Sequence, residues 1–192
     1  MKHYTLITPP TQEPISVADA VGFLRSSGSA EESALIAAFI SAARETVENF
    51  TGRSLLTTGW KVVADGWSGN AFTLDRTPLV SVSAVKYYAE GATTLTTLDT
   101  SAYALITTTQ PGQVLFMDEP PALAERPDAV QIDFTAGAAS PDLIPPTLIH
   151  AVRLLAQNYY DNRAAFAASS VNEIPLGLRH LLESQRVGGW VA

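Results

Sequence analysis

Side chains able to carry chemistry are thinly spread along this chain. The three histidines are His3, His150 and His180. The first lies in the N-terminal segment, and the other two fall on separate helical stretches. A zinc site needs three or four ligands in a fixed geometry, and no spacing here provides one. Acids are scattered singly between apolar runs, at Asp65, Asp75, Asp99, Asp118, Glu119 and Asp128. They lack the spacing of a calcium loop, and turn formation is the ordinary use of aspartate at such places. The patterns GxxxxGK, GxGxxG, HExxH and GxSxG are absent. That removes the common signatures of phosphate, dinucleotide, zinc and serine-hydrolase chemistry. The expectation is a protein that is not an enzyme, with no catalytic, cofactor-binding or metal residues.

With no cysteine, disulfides and thiolate metal sites are excluded. Twelve Lys and Arg stand against nineteen Asp and Glu, a net charge of -7. No basic stripe is visible, so tight phosphate binding is not expected. Such a balance suits either plain solubility or a surface that nucleic acid passes without sticking. No apolar run approaches the ~20 residues of a membrane span, and residues 1–14 lack the apolar core of a secretion signal. A soluble protein with no membrane partner is expected.

Exposed aromatics would be the raw material of a binding face. Trp60 and Trp67 flank the first strand, and Tyr87–Tyr88 and Tyr159–Tyr160 are adjacent pairs. Neighbours on a strand point to opposite sides, so one of Tyr87 and Tyr88 is expected to be exposed or at an interface. A β subdomain recognising sugar or peptide on a helical stalk is the alternative that these aromatics support.

The elements that must position these residues fall into three blocks. Ser16-Val17-Ala18-Asp19 and Ser29-Ala30-Glu31-Glu32 read as capping boxes, each opening a helix. Leu35, Ile36, Phe39, Ile40, Ala43, Val47 and Phe50 recur at helical spacing, and Gly52 is placed to end the second helix. Gly28 is a plausible stop for the first. From 55 to 136 the texture changes to Thr, Val, Tyr and Phe broken by Gly, Pro and Asp. Strands are expected near 60–64, 72–75, 80–88, 93–98, 103–107, 114–117 and 130–135, with a hairpin turn at 88–91. Helices return after Pro145-Pro146 and again from Leu176 to Arg186. The fold class is therefore α+β: a helical bundle from both chain ends, 1–54 and 137–192, around an inserted antiparallel β subdomain, 55–136. Leu35, Phe39, Ile40 and Val47 are expected to pack against Leu148, Val152 and Leu155.

Five segments, in order, carry a resemblance: SVADAVGFLR (16–25), EESALIAAFISAARETVENFTGRSL (31–55), LDRTPLVSVSAVKYY (74–88), DLIPPTLIHAVRLLAQNYYDNR (142–163) and EIPLGLRHLL (173–182). The Thr-Gly-Arg helix end and the Pro-Leu-Gly entry to the last helix are its most specific parts. Together they resemble the head-to-tail connector (adaptor) family of long-tailed bacteriophages and gene transfer agents, in the version with a β insertion. The resemblance implies a structural virion protein forming a homo-oligomeric, twelvefold ring. It implies a portal protein on one side and a tail-side stopper or tail terminator protein on the other. DNA would pass through the channel without specific binding, at the head-to-tail junction of a particle assembled in the bacterial host cytoplasm.

Candidate partner-interface residues are Arg179, Arg186, Trp190, Tyr87 and Tyr88. Gly188-Gly189 frees the backbone beyond the last helix, so the segment from Arg186 through Trp190 is expected to order only on docking, with Trp190 as anchor and Arg186 facing an acidic partner.

Overall fold

The computed structural model describes residues 1–162 and 176–187. The chain divides into two compact units, a helical one built from 12–56 and 138–192 and a β unit built from 1–11 and 57–137.

The helical unit holds α1 (Val17–Leu24), α2 (Ala30–Thr51), α3 (Pro146–Asp161) and α4 (Leu176–Glu183). Both expected N-caps form. Ser16 Oγ accepts from the Asp19 N–H at 3.0 Å, and Ser29 Oγ accepts from the Glu32 N–H at 3.3 Å, so each satisfies an amide that has no partner inside its helix. Gly52 ends α2 in the left-handed region (φ 72°), its N–H donating to the Glu48 carbonyl. The end of α1 differs from expectation: Arg25, not Gly28, is the left-handed cap (φ 52°).

Ile36, Ile40, Ala43 and Val47 form the buried stripe of α2, at intervals of four, three and four residues. They share one core with Leu148, Ala151, Val152, Leu155 and Ala156 of α3 and Leu178 and Leu182 of α4. Each large aliphatic side chain buried there contributes about 1.5–3 kcal/mol. Leu35 is not part of this core. It lies one residue, about 100° of helix rotation, off the stripe and is 38% exposed. Phe39 is only half-buried, its ring 6.3 Å from that of Tyr159.

In the β unit, all pairings between named strands are antiparallel. Strands β1 (Lys2–Thr8), β2 (Thr58–Ala64), β4 (Leu79–Tyr88), β5 (Leu95–Thr97) and β8 (Val130–Ala136) form a five-stranded sheet ordered β1-β2-β8-β4-β5. β3 (Ala71–Leu74), β6 (Tyr103–Ile106) and β7 (Gly112–Phe116) form a second sheet ordered β3-β7-β6. Central strand β8 shows the period of two: Val130, Ile132, Phe134 and Ala136 are buried, while Gln131, Asp133 and Thr135 stay half-exposed. The buried face joins Val62, Phe72, Leu74, Leu79, Val85, Val114 and Phe116. The sheets approach closely at Gly112, where a Cβ would lie 2.5 Å from that of Leu79.

The opening segment departs from the expected boundary at residue 54. Residues 1–11 belong to the β unit, because β1 pairs with β2 from Lys2↔Ala64 to Thr8↔Gly59. A strand whose partner lies more than fifty residues away leaves no local mark beyond its extended character.

Candidate interaction surfaces

Four of the six scattered acids are engaged locally. Asp65 receives the N-terminal ammonium at 2.6 Å, which holds its carboxyl below the usual range. Asp75 accepts from the Tyr4 hydroxyl at 2.8 Å, and burial first, with Asp75 beside it, raises the pKa of that phenol. Asp99 caps a short turn through Ser101, and Asp128 is clasped by Arg126. Lys61 and Lys86 flank Asp133 at 3.6 and 2.9 Å on the outward side of β8. Asp118 and Glu119 are exposed in the loop after β7. His3, His150 and His180 are exposed on β1, α3 and α4. Among the described residues, no three His, Asp or Glu side chains converge as a metal site, and no helix is long and apolar enough to cross a membrane.

The aromatics do not form an open platform. Trp67 packs edge-on to Phe116 at 4.8 Å, lies 6.2 Å from Tyr87, and donates its indole N–H to the Pro121 carbonyl at 2.9 Å. Arg76 covers the face of Trp60 at 4.4 Å, and Arg126 covers Tyr88 at 3.6 Å. Stacked guanidinium groups occupy the faces a sugar would need. Tyr87 and Tyr88 are each half-buried and already partnered within the β unit.

Arg179 and Arg186 are exposed. Arg179 pairs with Glu183 at 3.2 Å, a solvated i,i+4 pair worth only a few tenths of a kcal/mol. Arg186 has a fixed backbone: its N–H donates to Glu183, and the next N–H, of Val187, donates to the Thr51 carbonyl at 2.9 Å. Arg53 Nε donates to the Gln185 carbonyl at 2.8 Å. The chain thus returns to the end of α2 at Val187, so Arg186 and Val187, the first two residues of the segment expected to order on docking, make contacts within this chain. Trp190 lies outside the described residues, as does the segment 163–175.

Two polar networks were not foreseen from sequence. The Glu32 carboxylate accepts from Ser26 Oγ at 2.8 Å, from the Ser27 N–H at 2.9 Å and from the Tyr160 hydroxyl at 2.8 Å. The hydroxyls of Ser27, Ser26 and Tyr160 lower its pKa to about 2. Arg44 bridges Glu13 and Glu48, both at 2.8 Å. Burial weakens that guanidinium, but the two carboxylates outweigh it and raise its pKa. Glu48 is buried, and its other oxygen accepts from the Leu55 N–H at 2.7 Å. Adjacent serines at 26–27 were a signal for the first network. The contribution of Tyr160 was not readable.

Among the described residues, two open surfaces stand out. A cleft of about 780 Å³ in the helical unit has Ile15, Ile40 and Ile144 as its floor, with Asp142, His150 and Arg153 at its rim. In the β unit, β1 and β5 are the free edges of the larger sheet, exposing Leu6, Ile7 and Leu95.

Neither a protein-family model nor a curated protein matches the sequence. Solved structures do. A chain in the neck of an empty GTA particle, computed with C6 symmetry, superposes with a TM-score of 0.76 at 26% identity, covering 96% of this chain and 95% of that one. A chain of the virion of a native gene transfer agent (GTA) particle gives 0.74 at 25% identity over 96% and 95%. A chain of the neck of a native GTA particle, computed with C12 symmetry, gives 0.71 at 25% identity over 97% and 95%.

Proposed function

We propose that this chain is a member of the head-to-tail connector family with a β insertion and that, at the head-to-tail junction of a virion or phage-like particle, it forms a closed twelvefold ring seated on the portal protein. The single observation that carries this reading is a likeness to neck chains that extends over 96% of the sequence and so takes in both units. Sixfold symmetry is contained in twelvefold symmetry, so the two neck symmetries are compatible with one ring of twelve.

The role is mechanical. The ring carries the DNA channel from the portal toward a tail-side stopper or tail terminator protein, and it needs no catalytic group, cofactor or metal. An acidic chain suits that task, because phosphate binding depends on counterion release from clustered Lys and Arg, and twelve such residues set against nineteen acids supply little of it. Arg179 and Arg186, exposed at the end of the helical unit, are the described residues we assign to the portal contact. Trp190 would complete that set.

Reconstitution tests the proposal. Mixed with portal rings from the same particle, the protein should add a second ring of twelve copies, counted by native mass spectrometry and seen end-on by electron microscopy. A chain that stays monomeric and leaves the portal bare overturns it.

A further inference from the structure

A sheet edge is a row of backbone N–H and C=O groups that will bind another extended chain unless something blunts it. The smaller sheet has β3 and β6 as its edges. β3 and β6 have four residues each, and the Lys2 ammonium caps the Thr73 carbonyl of β3 at 2.6 Å. β1 is different. It has seven residues and, among the described ones, hydrogen-bonds as a strand on one side only, to β2. Its lysine turns inward, over Phe72 at 4.8 Å and toward Asp75. Its last four residues, Thr5 to Thr8, are uncharged and exposed, with Leu6 and Ile7 at 48% and 56%. At the other end of the same sheet, β5 pairs only with β4, and Leu95, Thr96 and Thr97 are likewise exposed and uncharged. Neither edge carries the outward charge or internal proline that usually keeps copies apart.

We propose that β1 of one copy pairs with the β5 edge of the next, so that the five-stranded sheets join head to tail around the ring. This inference rests on the ring reading above and names the surface that closes it. The two edges are different patches of one chain, which is what a heterologous, ring-closing contact requires; β1 pairing with β1 would be self-complementary and stop at a dimer. The segments that meet, Thr5–Thr8 and Leu95–Thr97, offer Thr, Ile and Leu, residues that pair well across strands. The scale also fits. Five strands at ~4.8 Å give each copy about 24 Å of belt, and twelve copies close at a mean radius of about 45 Å. Two register shifts in β4 bend the sheet within each copy, as a curved belt demands. With three residues in β5 the ladder is short, so it sets register and direction while neighbouring surface adds area.

Two double variants damage one edge each. Leu6→Lys with Ile7→Lys blunts β1, and Thr94→Lys with Thr96→Lys blunts β5. All four side chains are exposed, so a melting curve should report an intact fold. Native mass spectrometry across a concentration series should show wild-type rings, and each variant alone should need about tenfold more protein or higher to assemble. An equimolar mixture has one sound edge on each chain, in complementary positions, so it should form pairs and no rings. Wild-type protein that assembles neither alone nor on portal rings overturns the ring reading and this inference with it. Rings of either variant, or of the mixture, at wild-type concentrations overturn the inference alone. If a variant loses its fold, hydrogen exchange on wild-type protein decides instead. Edge amides of β1 slowed in the ring support the pairing, and amides exchanging as fast in the ring as in dissociated copies overturn it.

Discussion

Tyr160 donates its hydroxyl to the Glu32 carboxylate at 2.8 Å, tying the last turn of α3 to the first turn of α2. The same carboxylate receives Ser26 and Ser27 from the α1–α2 connection. One acid therefore gathers three segments of the helical unit, and its ionisation is linked to their order.

That linkage has a sign. The Glu32 carboxyl titrates near 2 in the folded chain, against an ordinary value of 4.5. Between these values the unfolded chain binds more protons, so the contribution is fully present above about pH 4.5 and is lost as pH falls toward 2. Melting temperature measured from pH 6 to pH 2 should fall less steeply in Glu32→Gln than in wild type. Tyr160→Phe, which leaves the two serines in place, should lie between them. Parallel curves for all three proteins would contradict the assignment.

The stripe on α2 separates two adjacent residues. Ile36 is fully buried and Leu35 is not. Ile36→Ala should cost about 2–5 kcal/mol in urea unfolding, and Leu35→Ala less than about 1 kcal/mol in the isolated chain. A reversed order would place the core on the wrong side of the helix.

Gly112 is where the two sheets touch. A methyl group there would sit 2.5 Å from the Leu79 Cβ, so Gly112→Ala should destabilise by about 1–3 kcal/mol through overpacking. Adding Leu79→Ala removes the Cδ2 and Cγ contacts at 2.9 and 3.3 Å but keeps the Cβ, so the double variant should lose somewhat less than the sum of the two single losses.

Thr77 is fully buried, and its hydroxyl has no hydrogen-bond partner among the described residues. An unsatisfied buried hydroxyl is unfavourable by roughly 1–3 kcal/mol. Thr77→Val keeps the shape without the polar group and should raise the unfolding midpoint. A loss above about 1 kcal/mol would mean that the hydroxyl has a partner in solution.

What the sequence determined by itself was local. Capping at Ser16 and Ser29, the stop at Gly52, the helical spacing of the apolar residues of α2 and the strand near 130–135 rest on interactions within a few residues. The order of segments also carried the family resemblance and the α+β class. Only the tertiary structure decided where distant pieces met. β1 found β2 across more than fifty residues, Arg76 and Arg126 closed over Trp60 and Tyr88, and Tyr160 reached Glu32. Leu35 and Ile36 were indistinguishable as apolar residues, because a helix facing two neighbours can rotate its stripe by one position until packing chooses. Strand pairing and side-chain capture depend on register and on the company of residues far along the chain, and neither leaves a periodic trace in sequence.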